Sequence, residues 1–242
     1  DKQKITKDDF LMLKSLLDLF FPPSCSICGE GRDDGICRVC IEGMRFIQSP
    51  LCPFCGIPFS SSVSSDHLCG DCMKKKRAFS LARSAGAYEG KLLDAIHLLK
   101  YRGKTALARP LASFLTNAID CGSYDIVIPV PLHRKRLQER GFNQSLLLAR
   151  SVAKKHKIPI DYLSLRRVRA TTPQINLSGN ERKANVRGAF EVRKGVPFSK
   201  KRVLLIDDVY TTGATVSECS KALKKAGANE VGVLTLARVV NL

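Results

Sequence analysis

The 242-residue chain contains no tryptophan, and aromatic residues make up only 7% of it. No apolar run reaches the 18 or so residues of a membrane-spanning helix, so the sequence predicts no membrane span. Acidic residues are also few, since 22 Asp and Glu stand against 40 Lys and Arg. The apolar fraction of 44% is nevertheless enough for a folded core, and the length fits one large domain or two modest ones.

The positive charge is concentrated after residue 80. Residues 1–80 contain 11 Lys and Arg against 10 Asp and Glu, whereas residues 81–242 contain 29 against 12. A small anionic ligand needs only a few of these cations. Two interpretations therefore stay open: nucleic acid as a second ligand, or a generally basic surface that aids solubility. The few aromatic residues of the basic part limit base stacking as a binding mode.

The first 21 residues predict an amphipathic helix. Apolar side chains recur at near-helical spacing over Phe10–Phe21, Lys14 and Asp18 interrupt them, and Pro22 ends the pattern. The interruptions argue against a signal peptide, and a helix that packs on the protein is favoured over one that lies on a membrane surface.

Eight of the ten cysteines fall before residue 73, in four Cys-x2-Cys pairs that indicate metal sites rather than disulfides. Residues 22–80 are therefore predicted to form a module with two all-cysteine zinc sites, which are closed and structural. Iron–sulfur centres and an interleaved pairing of the four motifs stay open as alternatives. The simplest assignment gives one ion Cys25, Cys28, Cys37 and Cys40, and the other Cys52, Cys55, Cys69 and Cys72.

From residue 81 to 242, strand-like and helix-like patterns alternate. This alternation predicts an α/β domain with a mostly parallel sheet flanked by helices, and ligands beyond the carboxyl ends of its strands. Residues 133–140 are predicted to form a loop rich in cations. Residues 171–187 show no clear period, and we predict a mobile functional loop there.

Residues 203–215 carry the strongest chemical signal. Val203–Ile206 predicts a buried parallel strand, two acids follow, and a Thr/Gly loop then leads into a helix. Backbone N–H groups and the helix dipole favour a phosphate at that loop, while carboxylates accept hydrogen bonds from vicinal hydroxyls or bind a divalent cation. The layout suits a ribose 5-phosphate. No Lys follows Gly213, which excludes a P-loop, and the dinucleotide glycine motif is absent. The candidate residues are Asp207, Asp208, Thr211, Thr212, Gly213, Ala214 and Thr215.

This stretch resembles the phosphoribosyl pyrophosphate (PRPP) motif of type I phosphoribosyltransferases. Together with the cysteine module, the chain resembles the competence protein F family (ComF or ComFC, with GntX-like relatives). Besides the motif and the Cys-x2-Cys pairs, the segments that carry the resemblance are Phe21–Cys25, Lys100–Gly103, Val130–Leu132, Arg140–Gln144 and residues 174–185.

The resemblance implies a type I phosphoribosyltransferase fold, a role in DNA uptake during natural transformation, and a bacterial cytoplasmic location. By position, Val130, Pro131, Leu132 and Arg134 would form a short pyrophosphate loop. Gln174, Arg182 and Arg187 would belong to a flexible loop that covers PRPP, and residues near 81–103 would contribute to the hood where an acceptor binds. Magnesium would accompany PRPP.

Three functions stay open on this basis. The first is a PRPP-binding protein that handles single-stranded DNA. The second is an active transferase with an unidentified nucleobase or amine acceptor. If the chain is an active transferase, it departs from its purine-salvage relatives, which carry an Asp where this chain has Thr211. Glu89 is only a guess for the base that would activate the acceptor. The third is a zinc-module scaffold that docks onto proteins of the DNA-uptake machinery.

Overall fold

The computed structural model describes residues 24–30, 35–59, 65–170, 179–195 and 198–240. The helix predicted over residues 1–21 lies outside these ranges, as does Gln174. Within them, no helix combines the length and the apolar character needed to cross a membrane.

The described residues contain strands and helices that alternate along the basic part of the chain. The strands are β1 (Leu81–Ala87), β2 (Ile126–Pro129), β3 (Leu165–Arg167), β4 (Phe190–Val192), β5 (Arg202–Tyr210) and β6 (Glu230–Arg238). The α-helices are α1 (Arg38–Glu42), α2 (Gly70–Lys74), α3 (Gly90–Tyr101), α4 (Ala108–Leu115), α5 (Arg134–Arg140), α6 (Gln144–His156), α7 (Gly179–Val186) and α8 (Ala214–Lys225).

Four strands form a parallel sheet in the order β1-β6-β5-β2, and β3 and β4 form a separate antiparallel pair. Helices cover both faces of the sheet, which confirms the predicted α/β class. Because β5 lies inside the sheet, its carboxyl end is flanked by the ends of β2 and β6. Pro129 of β2 lies opposite Ile206, and Tyr210 lies opposite Arg238 of β6.

The first half of β5, Val203–Ile206, is apolar because both faces of the strand are buried there. Leu204 and Ile206 belong to the core beneath α3, α4 and α6. Val203 and Leu205 belong to the core on the opposite face, beneath α8. The first apolar residues of β5 are fully buried, as the predicted strand required.

The cysteine-rich segment packs along β1, the edge strand of the sheet. The N–H of Ala87 donates to the carbonyl of Arg45 (2.8 Å), and that of Ala82 donates to the carbonyl of Phe54 (2.8 Å). Gly86 permits this close approach, since a Cβ there would lie 2.8 Å from the Arg45 carbonyl oxygen. The module thereby covers a sheet edge that would otherwise present unpaired backbone groups.

The prediction of a cation-rich loop at residues 133–140 is wrong, because these residues form helix α5. His133 Nδ1 accepts from the N–H of Lys135, and Gly141 ends the helix with φ +81°. No residue of α5 is buried, so the helix shows no apolar period. Its Arg, Lys, Leu, Gln and Glu residues all have a high helix propensity, which a prediction from charge alone does not take into account.

The prediction of an irregular segment over residues 171–187 is wrong in its second half, where α7 spans Gly179–Val186. Glu181 lies in the first turn, where an acid is favoured by the helix dipole. Val186 is fully buried, whereas Glu181 and Ala184 are exposed. Among the side chains of this helix that the structure describes, only Val186 is buried, which gives little periodicity and explains why the pattern did not reveal the helix.

Candidate functional site

The turn between β5 and α8 is shorter than the sequence suggested. Strand β5 continues through both acids to Tyr210, and α8 begins at Ala214, so the connecting turn is Thr211–Gly213. Gly213 adopts φ +74°, and a Cβ there would lie 2.3 Å from the Tyr210 hydroxyl oxygen. Only glycine therefore fits this position without displacing the tyrosine.

The predicted residues of the turn lie at the start of α8. The N–H of Ala214 points to the Thr212 Oγ1 at 3.4 Å, and that of Ser217 donates to the Gly213 carbonyl (2.9 Å). Gly213 and Ala214 are buried, whereas Thr211, Thr212 and Thr215 are half-buried. Helical N–H groups at such an end favour an anionic ligand.

Both acids are buried at the end of β5. Ser145 Oγ donates to Asp207 Oδ1 (2.9 Å), and the same oxygen accepts from the N–H of Asp208 (2.9 Å). Burial raises the pKa of Asp207 to about 6, while the Ser145 hydroxyl and the cations of Lys100 and Arg167 act in the opposite direction. Asp207 is therefore an acid that titrates close to neutral pH.

Lys100, at the end of α3, forms an ion pair with Asp208 through its Nζ and the carboxylate Oδ2. Burial lowers the pKa of Lys100 to about 8, the Asp207 carboxylate counteracts this, and Arg140 lowers it further. The ammonium group therefore belongs to the same electrostatic cluster as the two acids.

The predicted pyrophosphate loop follows β2 and lies beside the acids. The N–H of Val130 donates to the Ile206 carbonyl (2.8 Å), which continues the pairing of β2 with β5. Pro131 and Leu132 are half-buried, and Arg134 is exposed at the start of α5. Backbone pairing thus holds this loop next to the end of β5.

Asn143 connects that loop to helix α6. Its Nδ2 donates to the Val130 carbonyl (3.1 Å), and its Oδ1 accepts from the N–H of Ser145 (3.0 Å). Ser145 also donates to Asp207. The segment Asn143–Ser145 therefore connects the β2 loop and the first turn of α6 to the Asp207 carboxylate.

An arginine and a tyrosine lie beside this cluster. Arg140 Nη1 donates to Gln144 Oε1 (2.6 Å), and its guanidinium lies 5.5 Å from the centroid of the Tyr101 ring. Burial lowers the pKa of Arg140, and the ring of Tyr101 is 55% exposed. This arrangement presents an aromatic and cationic surface next to Lys100.

The predicted flexible-loop residues are not all assembled with the acids. Arg187 directly follows α7 and acts electrostatically on Glu218 of α8. Its carbonyl accepts from Arg169 Nη2 (2.8 Å). The backbone of Arg182 lies within α7. Glu89, considered as a base, pairs with Arg45 of the cysteine module at 3.1 Å.

Three residues of the site were not assigned roles from the sequence. Lys100 and Ser145 contact the acids directly, and Arg167 acts on Asp207 electrostatically. Lys100 stood in a segment that carried the family resemblance, which was a usable signal. Ser145 and Arg167 lie in ordinary helix and strand patterns, and only the fold brings them to the site.

The eight cysteines of the module form two compact clusters. In each, four sulfur atoms lie within 4.8 Å of one another, with Cys25, Cys28, Cys37 and Cys40 in one and Cys52, Cys55, Cys69 and Cys72 in the other. The grouping is sequential, not interleaved. The Sγ atoms of Cys28 and Cys37, and those of Cys55 and Cys69, are 3.7 Å apart. Zn–S bonds of about 2.3 Å place tetrahedral sulfurs roughly 3.8 Å apart, so both clusters fit a zinc ion.

Backbone donors support this fit. The N–H groups of Ile27 and Cys37 point to the Cys25 sulfur at 3.4 and 3.3 Å. Burial raises the pKa of Cys25, but the backbone N–H groups outweigh it and lower the pKa to about 6. For Cys52 as well, the backbone N–H groups outweigh the effect of burial and lower the pKa to about 6. Thiolates held by such donors are suited to bind a metal ion.

Both parts of the chain match models of known protein families. Residues 143–240 match the phosphoribosyl transferase domain, and residues 16–73 match the double zinc ribbon domain. Together with the parallel sheet and the two cysteine clusters, these matches define a phosphoribosyltransferase-like protein with a zinc ribbon module.

The chain belongs to the family of the competence protein F and DNA utilization proteins. It is 34% identical over 213 residues to DNA utilization protein YhgH of Salmonella typhimurium, which covers 85% of this chain and 91% of that protein. It is 32% identical over 213 residues to competence protein F of Haemophilus influenzae, with the same coverage. Competence protein ComFC of Streptococcus pneumoniae is 30% identical over 209 residues, covering 85% of this chain and 89% of that protein.

Solved structures match only part of the chain. The allosteric regulatory enzyme of purine biosynthesis shares 26% identity at a TM-score of 0.37, covering 53% of this chain and 25% of that one. Glutamine PRPP amidotransferase from B. subtilis shares 27% identity at a TM-score of 0.36, covering 52% of this chain and 25% of that one.

Proposed function

We propose that the β5–α8 turn and the acids before it bind PRPP, or another ribose 5-phosphate ligand, in a protein of DNA uptake and utilization. The observation that supports this best is the junction of Asp207 and Asp208 with a glycine turn and a helix N-terminus. The turn suits the 5-phosphate, and the carboxylates suit the ribose hydroxyls.

The β2 loop completes the proposed site. Val130–Arg134 adjoins the acids through the hydrogen bond from Val130 to Ile206, so it is placed to meet the pyrophosphate group. Carboxylate oxygens are preferred ligands of Mg²⁺, which usually binds through one or two carboxylates and substrate phosphates. Magnesium would therefore enter with PRPP and offset charge on the pyrophosphate. Lys100 and the predicted loop cations Arg134, Arg182 and Arg187 would contribute further positive charge.

Calorimetric titration of the full chain with PRPP, ribose 5-phosphate and pyrophosphate, each with Mg²⁺, tests this proposal. We expect PRPP to bind more tightly than either fragment, because only PRPP uses the turn, the acids and the β2 loop together. Equal affinity for pyrophosphate and PRPP would contradict a ribose-binding role for the acids.

Turnover of PRPP is a second candidate function, supported by the match to a phosphoribosyl transferase domain. Neither residue considered for the base from the sequence supplies one here, because Glu89 is paired with Arg45 and Thr211 carries no carboxylate. Labelled PRPP with Mg²⁺ and a panel of nucleobases and amines would release pyrophosphate from an active transferase. No release with any acceptor would favour a binding role.

The proposed DNA function has a candidate surface of its own. A cavity of about 720 Å³ lies between the β3–β4 pair and the end of α8. Exposed cations line it (Arg166, Arg193, Lys194 and Lys225), with Glu191 as an opposing acid. Helix α8 begins at the proposed phosphate turn and ends at this groove, so a nucleic-acid strand could bind without entering the PRPP site.

Single-stranded DNA binding should therefore depend on salt and on these cations. For single strands the logarithm of affinity falls with the logarithm of salt by about 0.7 per neutralised phosphate. Replacing Arg166, Arg193 and Lys225 with Gln should reduce that slope by about 2. The matched control replaces Arg109, Arg150 and Lys154, which lie in α4 and α6 on the opposite face. Equal effects in both variants would contradict the groove assignment.

We propose a zinc module over residues 22–80, preceded by a helix over 1–21 and followed by the phosphoribosyltransferase-like domain over 81–242. A bacterial cytoplasmic location is consistent with metal-binding thiols, which reducing conditions preserve. Two relatives are named competence proteins. We infer that this chain contacts DNA-uptake proteins, for which the zinc module is a candidate docking part.

A further inference from the structure

A continuous set of contacts connects the second cysteine cluster to the proposed phosphate turn. At its start, the Arg238 Nη1 donates to the carbonyl of Cys55, a ligand residue of that cluster. Arg238 ends β6 and is only 4% exposed. Its guanidinium lies 4.8 Å from the centroid of the Tyr210 ring. One buried cation thus contacts both the cysteine cluster and the last residue of β5.

A second cation, Arg77, acts on the same tyrosine. Arg77 interacts with the Cys72 sulfur and acts electrostatically on Tyr210. It also lies 5.9 Å from the centroid of the Phe79 ring, which meets the Tyr210 ring edge-on at 6.4 Å. Arg77 therefore reaches the tyrosine through Phe79, whereas Arg238 contacts the tyrosine ring directly.

Tyr210 packs against the proposed phosphate turn at Gly213. Its ring is 3% exposed, and its hydroxyl lies against Gly213, where even a Cβ would overlap it. The hydroxyl has no hydrogen-bond partner within the part of the chain that the structure describes. The ring position therefore depends on the groups packed around it, chiefly Arg238 and Phe79.

We propose that Arg238 and Tyr210 are positioning residues, through which metal occupancy of the second cysteine cluster controls the phosphate turn. The proposal rests on the proposed function for its ligand. Zn²⁺ bound to the Cys55 and Cys72 sulfurs would fix the backbone of Cys55, whose carbonyl accepts from Arg238 Nη1. Without the ion this carbonyl is no longer held in place. Arg238 then loses its fixed partner, and the Tyr210 ring that it covers loses support beneath Gly213.

The first cluster provides an internal control, because none of these contacts involves it. Three of its cysteines (Cys25, Cys37 and Cys40) pack with Ile27 and Ile36. Cys72→Ser should therefore affect the turn, whereas Cys28→Ser should not, although each variant should lose one zinc ion. Zinc content by elemental analysis establishes which ion is lost.

Hydrogen exchange of the full chain, followed by mass spectrometry, tests the proposal without any ligand. The amide of Ser217 donates to the Gly213 carbonyl and reports on the turn. We expect peptides covering residues 211–218 to exchange at least tenfold faster in Cys72→Ser than in wild type or Cys28→Ser. The same rate in both cysteine variants would overturn the proposal.

Arg238→Met tests the same contacts with both metal ions retained, should the cysteine variant fail to fold. We expect faster exchange at residues 211–218 and at least tenfold weaker PRPP binding, with two zinc ions per chain. A merely structural arginine would lower overall stability without a local change at the turn, and that outcome would overturn the proposal. If wild type does not bind PRPP, the proposed function fails, but the exchange measurements still decide the coupling.

Discussion

The ammonium group of Lys100 lies against the carboxylate of Asp208, at the end of β5. Both side chains are largely buried, with exposures of 15% and 7%. The pair joins the end of α3 to the acid that we propose for ribose binding. An incoming ligand must therefore share Asp208 with Lys100 or displace it, and Lys100 is then free to meet an anionic group of the ligand.

Removing the cation alone should destabilise the protein. Lys100→Met leaves Asp208 buried without its counter-ion, and breaking such a pair costs about 3 kcal/mol. We expect a loss of this size in the free energy of unfolding, measured in urea at pH 7. Combining Lys100→Met with Asp208→Asn should recover most of the loss, because no unpaired charge remains. If the double variant is no more stable than Lys100→Met alone, the idea that Lys100 and Asp208 stabilise the fold as a pair is contradicted.

The contribution of Asp207 to the free energy of unfolding should decrease as pH rises, which is unusual for an acidic residue. Its folded pKa of about 6 lies above the ordinary 3.8. Between these values the folded state binds more protons than the unfolded state, so the contribution of Asp207 falls as pH rises from about 4 to about 6. Asp207→Asn should lose this dependence. The stability difference between wild type and variant should shift by on the order of 3 kcal/mol across that window. Parallel stability curves would contradict the assignment.

Gly213 should be intolerant of even one added methyl group. Gly213→Ala places a Cβ on the Tyr210 hydroxyl at a φ of +74°, so it combines overlap with backbone strain. Strain of this kind costs roughly 1–3 kcal/mol, and we expect PRPP affinity to fall by tenfold or more. Gly195→Ala is the control, because Gly195 has a φ of +80° but no atom within 4 Å of a Cβ. Equal losses in both variants would mean that Tyr210 plays no part.

Metal content should follow the grouping of the cysteines. We expect two zinc ions per chain by elemental analysis, and one after Cys28→Ala. Cys121→Ala should retain both, since Cys121 is a buried free thiol outside the two clusters. A wild-type protein with one ion, or with iron in place of zinc, would contradict two structural zinc sites.

The features that were predictable from sequence are those whose cause is local. Val203–Ile206 is apolar because both of its faces are buried, and each cysteine cluster uses neighbouring Cys-x2-Cys pairs. Helix α5 was missed because it buries no side chain and therefore has no apolar period. The acids of the motif were recognisable, but β5 extends past them because β6 continues to pair with it up to Arg238.

The features that escaped prediction depend on contacts between distant parts of the chain. Lys100 reaches Asp208 only because of how α3 packs, and Arg238 meets Cys55 only because the module covers β1. Nothing in the sequence near either cation specifies its partner. These contacts also set the electrostatics of the site, so its titration could not be anticipated from the motif.

The most direct test of the central claim is PRPP binding by a variant that lacks both acids. Isothermal titration with Mg²⁺ should show binding to wild type and at least a hundredfold weaker affinity for Asp207→Asn with Asp208→Asn. Circular dichroism and zinc content should show that the variant is folded. Unchanged affinity in a folded variant would contradict the assignment of this site.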